Sequence, residues 1–167
     1  IKSIQSGSQN LGSSGGDVTL YFPISQININ TSIIIPHFIS MPYVAYVSGS
    51  ELFDCYFQDE SNIFISKGNY PFAIGDHIIE FEDWAVKSLQ TGTVTNQTSV
   101  TINEVDPNKS WVIGSFRKVH EANSEARTLS LWGSVNSTGT AINFSNANNA
   151  ISDTASWAKR WQLIEFS

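Results

Sequence analysis

The chain has 167 residues, of which 41% are hydrophobic and 14% are charged. This hydrophobic content is typical of a globular protein, whereas the charged fraction is well below the usual value of about a quarter and does not suit long solvated helices. The formal net charge is −6 and no dense basic cluster is present, so nucleic acid is not expected as a partner. There is also no apolar run long enough to predict a membrane span.

A short opening segment occurs twice in the chain. Residues 1–7 read IKSIQSG and residues 86–92 read VKSLQTG. The closing segments match as well, because residues 78–81 read IIEF and residues 163–166 read LIEF. Both matches have a spacing of about 85 residues, which indicates two tandem copies of one unit. We therefore expect residues 1–85 and residues 86–167 to be separate units related by internal duplication.

The first copy contains a series of short segments that alternate apolar and polar residues or form brief apolar runs. The predicted strands are residues 1–6, 17–22, 27–30, 33–35, 41–48, 51–57, 62–66 and 76–81. Pro23 and Pro36 are expected to end the strands that precede them, because proline cannot donate to a strand ladder.

The second copy repeats this scheme. Its predicted strands are residues 86–94, 98–104, 111–119, 127–135, 140–144 and 156–166, with a turn at residues 106–108. Residues 121–129 are a poor helix candidate, since they lack an apolar stripe. Short strands separated by turn residues predict an all-β protein made of two antiparallel β-sandwiches.

The last predicted strand is apolar on both faces. If Ile164 and Phe166 face the core, the opposite face carries Trp157, Trp161 and Leu163, a stripe too apolar to leave in water. One interpretation is a second buried layer within the same chain. Another is an interface with a second subunit, for which tryptophan is an enriched anchor. A third is a flat platform for a sugar.

Motifs for catalysis are missing from the sequence, which contains no GxSxG, HExxH, P-loop or GxGxxG pattern. The three histidines, His37, His77 and His120, are not at metal-ligand spacing. The single cysteine, Cys55, excludes a disulfide framework and is expected to be a half-buried small hydrophobe. We therefore predict a protein that is not an enzyme and that holds no cofactor and no metal.

A carboxylate pair for glycoside cleavage would have to come from the acidic residues of the first copy. These residues are Glu51, Asp54, Asp59, Glu60, Glu80, Glu82 and Asp83. Loop carboxylates are usually only solvated, and the cluster at residues 54–60 lacks the regular spacing of a calcium-binding loop. Catalysis and calcium binding are therefore not expected here.

Charge is shared unevenly between the copies. Residues 1–85 carry nine acids and two bases, whereas residues 86–167 carry six acids and seven bases. Two interpretations remain open. Either the copies have simply diverged, or unlike faces allow copy one of one subunit to meet copy two of another.

The opening and closing motifs resemble those of a small β-domain in the virion proteins of tailed bacteriophages. In the second copy the resemblance is carried by residues 86–92 (VKSLQTG), 100–102 (VTI), 106–111 (DPNKSW) and 161–166 (WQLIEF). The first copy has Asp76 where the second has Trp161. The domain is also distantly similar to H-type lectins, six-stranded sandwiches that trimerise and bind N-acetylgalactosamine, but no sugar-site motif matches.

The resemblance implies a non-enzymatic structural protein of the virion, either a capsid decoration (cement) protein or a tail-associated protein. Its expected partners are other copies of itself and the major capsid or tail protein. A homotrimer of duplicated chains would present six similar units. The alternative is a carbohydrate-binding module that recognises a receptor as part of a phage fibre. Its candidate sugar contacts are Trp132, Trp157 and Tyr70.

Overall fold

The computed structural model describes residues 1–11, 18–40, 54–67, 72–95, 97–119, 131–146 and 156–167. These ranges contain twelve β-strands and three short 3-10 turns and no α-helix, which confirms the predicted all-β class. In the first half, residues 1–85, the strands are β1 (Ser3–Leu11), β2 (Val18–Pro23), β3 (Ser32–Ser40), β4 (Asp54–Asp59), β5 (Asn62–Lys67) and β6 (Phe72–Glu80). In the second half, residues 86–167, they are β7 (Val86–Thr95), β8 (Ser99–Thr101), β9 (Ser110–Val119), β10 (Leu131–Val135), β11 (Ala141–Asn146) and β12 (Ser156–Phe166).

Two details of the strand prediction are wrong. Residues 27–30 lead into a 3-10 turn, Ile29–Thr31, because the side chain of Asn28 accepts a hydrogen bond from the Asn30 N–H and caps the turn. Pro36 does not end its strand, since β3 lies at the edge of a sheet, where a missing N–H costs no ladder hydrogen bond. The strand predicted at residues 41–48 and the weak helix candidate at 121–129 lie outside the described residues.

The strands form four antiparallel three-stranded sheets. In the first half their orders are β1-β6-β3 and β2-β5-β4, and in the second half they are β7-β12-β9 and β8-β11-β10. The sheets of the second half have the same strand order as those of the first half, with each strand number raised by six. Within the described ranges, every strand pairing joins strands of the same half, so each half has its own two sheets.

The two sheets of each half enclose a hydrophobic core, in a β-sandwich-like arrangement. In the first half, Ile34 and Ile78 from one sheet meet Cys55, Ile63 and Ile65 from the other. All five side chains are buried. Side chains that point alternately to the two faces of a strand make this possible, because every second residue then faces the same layer.

The core of the second half is built in the same way. Trp161 and Leu163 of β12 pack with Val94 of β7 against Ile142 and Phe144 of β11. A third cluster lies between the halves and joins the sheets β1-β6-β3 and β7-β12-β9. Its buried members are Ile33, Phe81, Ile113 and Ile164. Each of these sheets is therefore covered by its own half on one face and, in part, by the other half on the opposite face.

The orientation of β12 is opposite to the prediction. Trp161 and Leu163 are only 6% and 0% exposed and face the core of their own half, whereas Ile164 and Phe166 face the first half. Trp161 and Leu163 form a second buried layer within the chain, so they are not an interface for another subunit. The alternation of residues along a strand does not show which face points to which layer when both faces are apolar and both are covered. Trp157 lies on the same strand, and its side chain is outside the described part of the structure.

Candidate functional site

A buried glutamate joins the opening and closing strands of the first half. Glu80, at the end of β6, accepts hydrogen bonds from Lys2 Nζ at 2.9 Å and from Ser3 Oγ at 2.9 Å. It also accepts one from the backbone N–H of Asn28 at 3.0 Å. We call these four residues the Glu80 cluster. The cluster connects β1 and the 3-10 turn Ile29–Thr31 to β6, which lies between them in the fold.

The second half contains the same arrangement. Glu165 accepts from Lys87 Nζ at 2.8 Å, from Ser88 Oγ at 3.1 Å and from the Asp106 N–H at 2.9 Å. These residues are the Glu165 cluster. The segments VKS and IEF, which carry the resemblance described above, are therefore brought together at one point in space.

The electrostatics of the two clusters favour an ionised carboxylate. Burial acts to raise the pKa of Glu80, but hydrogen bonds from Lys2, Asn28 and Ser3 outweigh it and hold the pKa below its ordinary value. The pKa of Glu165 is lowered in the same way by Lys87 and its neighbours. A carboxylate that is buried, paired and ionised is poorly suited to act as a general acid. Both glutamates are structural anchors.

Two of the other acidic residues singled out from the sequence also accept hydrogen bonds within the fold, and Glu51 lies outside the described residues. Asp59 accepts hydrogen bonds from the Ser61 N–H and the Asn62 side chain in the turn between β4 and β5, and these bonds lower its pKa. Asp54 accepts from Arg160. Within the described ranges, no group of three His, Cys, Asp or Glu side chains is placed to hold a metal ion.

Cys55 is fully buried rather than half-buried. Burial, together with the nearby charges of Asp76 and Asp54, raises the pKa of its thiol, so the nucleophilic thiolate is disfavoured. The described part of the chain has no helix with the length and hydrophobicity that a membrane crossing requires.

Within the described ranges, two side chains of the second half, Gln162 and Arg160, make polar contacts with the first half. Ile34 donates its N–H to Gln162 Oε1 at 3.1 Å, and Gln162 Nε2 donates to the Ile34 carbonyl at 2.8 Å. The amide thus occupies the backbone groups at the open edge of β3, as a neighbouring strand would. Arg160 Nε donates to Asp54 at 3.0 Å, and the guanidinium carbon lies 3.6 Å from the centre of the Tyr56 ring.

Each of the two facing sheets carries a row of three apolar residues across its strands. In the first half the row is Ile4 of β1, Ile79 of β6 and Ile33 of β3, which lie opposite one another in register. Ile33 is 0% exposed and Ile4 is 60% exposed. The row is therefore covered by the second half at its β3 end and open at its β1 end.

The row of the second half is covered at the other end. It consists of Leu89 of β7, Ile164 of β12 and Trp111 of β9. Leu89 packs against the cluster between the halves, whereas Trp111 is 45% exposed. Equivalent rows thus leave opposite ends open to solvent.

A second apolar surface lies on the outer face of the sheet β2-β5-β4. Tyr21 and Tyr56 flank Phe64, with ring centres 5.6 Å and 4.5 Å from that of Phe64. Tyr21 is 59% exposed. We call these three residues the aromatic row. At the same register positions the second half has Ser99, Asn143 and Ser134, which are polar.

The sugar contacts predicted from sequence are not brought together by the described structure. Trp132 lies on β10 and Trp157 on β12, both with side chains outside the described part, and Tyr70 is outside it altogether. The aromatic row and the open ends at Ile4 and Trp111 were missed. Alternation along β2 and β5 identifies one outward face, but nothing in the sequence indicates which strands become neighbours.

No family model, no curated protein and no solved structure matches this chain. The resemblance to phage virion domains and to H-type lectins therefore stays a prediction.

Proposed function

We propose that the chain is a non-enzymatic structural protein of a bacteriophage virion, built from two tandem β-sandwich units related by internal duplication. The observation that carries this proposal is the pair of glutamate clusters. The residues on which the resemblance depends form the same buried contact twice, around Glu80 and around Glu165. A motif with this structural role is expected to be kept in both units of a duplicated domain.

Smaller contacts support the duplication. Gln5 exchanges two hydrogen bonds with the backbone of Ser25, and Gln90 exchanges the same two with the backbone of Asn103. The 3-10 turn before β3 has its equivalent at Pro107–Lys109 before β9, capped by Asp106 as the first is capped by an asparagine. The equivalence therefore extends from the strand order to individual side chains.

Such a protein acts through contacts with other proteins rather than through chemistry. The buried carboxylates are taken up by structural hydrogen bonds, whereas large apolar side chains such as Ile4 and Trp111 remain exposed. Exposed apolar surface is a common property of protein interaction sites. The proposed location is the virion, with copies of the same chain and the major capsid or tail protein as partners. Many modest contacts of this kind add up on a particle.

Quantitative mass spectrometry of gradient-purified particles of the encoding phage tests this proposal. We expect the chain at a constant number of copies per particle in independent preparations. Immunogold labelling then distinguishes a capsid from a tail position. A chain found in infected cells and lost from purified particles would contradict the proposal.

The aromatic row favours a second candidate function, carbohydrate binding by a fibre module. Flat rings exposed beside polar groups match the apolar faces of sugars, and Arg160 and Asp54 lie at the Tyr56 end of the row. A glycan array tests it, with Tyr21→Ala as the disruptive variant and Ser99→Ala, at the same register position of the second half, as the control. Trp132→Ala, Trp157→Ala and Tyr70→Ala test the sites predicted from sequence. Saturable glycan binding by the wild-type chain that is lost in Tyr21→Ala, or in one of the variants at the sites predicted from sequence, and kept in Ser99→Ala supports this candidate. An array on which the wild-type chain binds no glycan rejects it.

A further inference from the structure

The aromatic row of the first half carries a cation at one end, and that cation comes from the second half. Arg160 Nε donates to Asp54 at 3.0 Å, and the guanidinium carbon lies 3.6 Å from the centre of the Tyr56 ring. Tyr56 stacks on Phe64, with 4.5 Å between ring centres and 29° between ring planes. Phe64 in turn meets Tyr21 edge-on, at 5.6 Å and 75°. The row thus runs from a bound guanidinium at β4 to a free ring at β2.

The other end of the row is open to solvent. Tyr21 is 59% exposed, and its strand, β2, is an edge of the sheet β2-β5-β4. Thr19 and Pro23, which share the outer face of β2 with Tyr21, are exposed as well. This end therefore offers ring surface to a group from outside the chain.

The charges beside the row suit a cationic partner. The turn between β4 and β5 carries Asp59 and Glu60, both exposed. Hydrogen bonds from the Ser61 N–H and the Asn62 side chain hold the pKa of Asp59 below its ordinary value, so its carboxylate is ionised at neutral pH. Asn62 lies two residues from Phe64 on β5, which is about 7 Å along a strand. The first half as a whole carries nine acids and two bases. A cation that approaches the row is therefore attracted, and an anion is repelled.

We propose that the open end of the aromatic row binds an arginine or lysine side chain of another virion protein, as Tyr56 binds Arg160 within the chain. The cation lies against the ring of Tyr21, and Asp59 and Glu60 supply the complementary charge. This inference rests on the proposed function, in which the chain acts through contacts with other proteins. It names one of the contact surfaces and the chemistry of the partner.

The geometry of the rings favours a cation over a sugar on this surface. Both faces of the Tyr56 ring are occupied, one by the Arg160 guanidinium and the other by the ring of Phe64. A sugar that stacks on a broad platform would need several free ring faces side by side, whereas a cation needs the face of a single ring. Tyr21 at the open end can supply that face.

NMR titration with two peptides tests the inference. The probe is an acetylated hexapeptide amide of alternating glycine and arginine, and the control peptide has neutral citrulline in place of each arginine. We expect the arginine peptide to shift the ring signals of Tyr21 and Phe64, and the citrulline peptide to bind about fivefold more weakly or less. Tyr21→Ala should weaken binding of the arginine peptide to the same extent, and Tyr21→Phe should restore it. Ser99→Ala, at the same register position of the second half, should bind like the wild type.

Folding is checked on each variant by its thermal unfolding, which should be unchanged because the Tyr21 side chain is exposed. Equal binding of the two peptides by the wild-type chain would overturn the inference, as would an absence of ring shifts at millimolar arginine peptide. A Tyr21→Ala variant that binds the arginine peptide like the wild type would overturn it as well.

Two further outcomes separate this inference from the functions proposed above. Glycan binding that is lost in Tyr21→Ala, without any response to the arginine peptide, would overturn the inference and assign the row to the carbohydrate candidate. A chain that does not bind the peptide but is a constant component of purified virions would contradict the inference and leave the virion function intact. A chain that binds the peptide through Tyr21 and is lost from purified virions would contradict the virion function instead.

Discussion

The two halves share a framework but fill it differently, as one position in each core illustrates. In the second half the ring of Trp161 lies directly on Gly92, where a Cβ atom would be 2.6 Å from Cζ2 of the indole. In the first half Asp76 occupies the same position over Gly7 and is also buried. The glutamate cluster, the capped turn and the strand order are retained, whereas the contents of the core are not. The framework is therefore set by polar contacts that tolerate different cores.

The outer surfaces differ more than the cores. The first half carries the aromatic row on its outer sheet, where the second half has Ser99 donating to Asn143 at 3.0 Å. The open end of the apolar row lies on β1 in one half and on β9 in the other. Two units with one framework thus expose different surfaces, which allows one chain to make different contacts with different neighbours.

The largest expected effect comes from removing matched core side chains. Leu163 and Ile78 occupy equivalent positions and are both buried. Leu163→Ala and Ile78→Ala should therefore each lower the free energy of unfolding by about 2–5 kcal/mol. Chemical denaturation measures the loss. Ile4→Ala on the exposed end of a row is the control and should change the stability of the monomer little. A core variant as stable as this control would contradict the described burial.

Breaking a glutamate cluster should have the next largest effect. Glu165→Ala removes a buried carboxylate and leaves the part-buried Asp106 N–H and Ser88 hydroxyl without their acceptor, at a cost of about 2–4 kcal/mol. Glu80→Ala should cost a similar amount if the two clusters are equivalent. Denaturation of both variants tests the comparison, since a loss at one site only would show that the clusters play different roles.

The clusters also predict how stability depends on pH. The pKa of Glu80 and of Glu165 is lowered from an ordinary value of 4.5 in the folded chain, so the folded state binds fewer protons than the unfolded state in the acid range. Their stabilisation is fully present above that value and is lost as pH falls through the folded pKa. Unfolding curves at a series of acidic pH values should show this loss. In the double variant Glu80→Gln/Glu165→Gln the free energy of unfolding should depend less steeply on pH. An unchanged slope would contradict the role given to the two glutamates.

Adding a methyl group beneath the indole should cost less. In Gly92→Ala the new Cβ collides with the ring of Trp161, which should destabilise the chain by about 1–3 kcal/mol. Gly7→Ala should cost less, because its Cβ meets an oxygen of Asp76 at 2.9 Å rather than a large rigid ring. Thermal unfolding of the pair measures the difference, and equal losses would contradict it.

The smallest effect is expected between the halves. Gln162→Ala leaves the N–H and C=O of Ile34 unpaired and should cost about 1–2 kcal/mol. His77 holds the equivalent position in the first half and is exposed, so His77→Ala is the matched control and should cost less. Hydrogen exchange at Ile34 should rise in the glutamine variant. Unchanged protection there would show that the amide is not needed at that edge.

The sequence predicts the parts of the fold that depend on local pattern. Alternation gives most strands, including Ser156–Phe166 with the observed bounds, and the repeated segments IKS/VKS and IEF contain residues that form the two glutamate clusters, although the sequence does not show that they meet. Local pattern does not determine which apolar face of β12 meets which layer. The Gln162–Ile34 contact is equally hidden, because it joins residues far apart in the sequence through a geometry that only the packed halves create. The open ends at Ile4 and Trp111 depend on that same geometry.

NMR titration of the side-chain carboxyl carbons tests most directly the central claim, that both halves are built around an equivalent buried and ionised glutamate. We predict that Glu80 and Glu165 both titrate with a pKa below the ordinary value of 4.5. Lys2→Met should raise the pKa of Glu80 alone, and Lys87→Met should raise the pKa of Glu165 alone. A pKa at or above 4.5 for either glutamate in the wild-type chain would contradict the account.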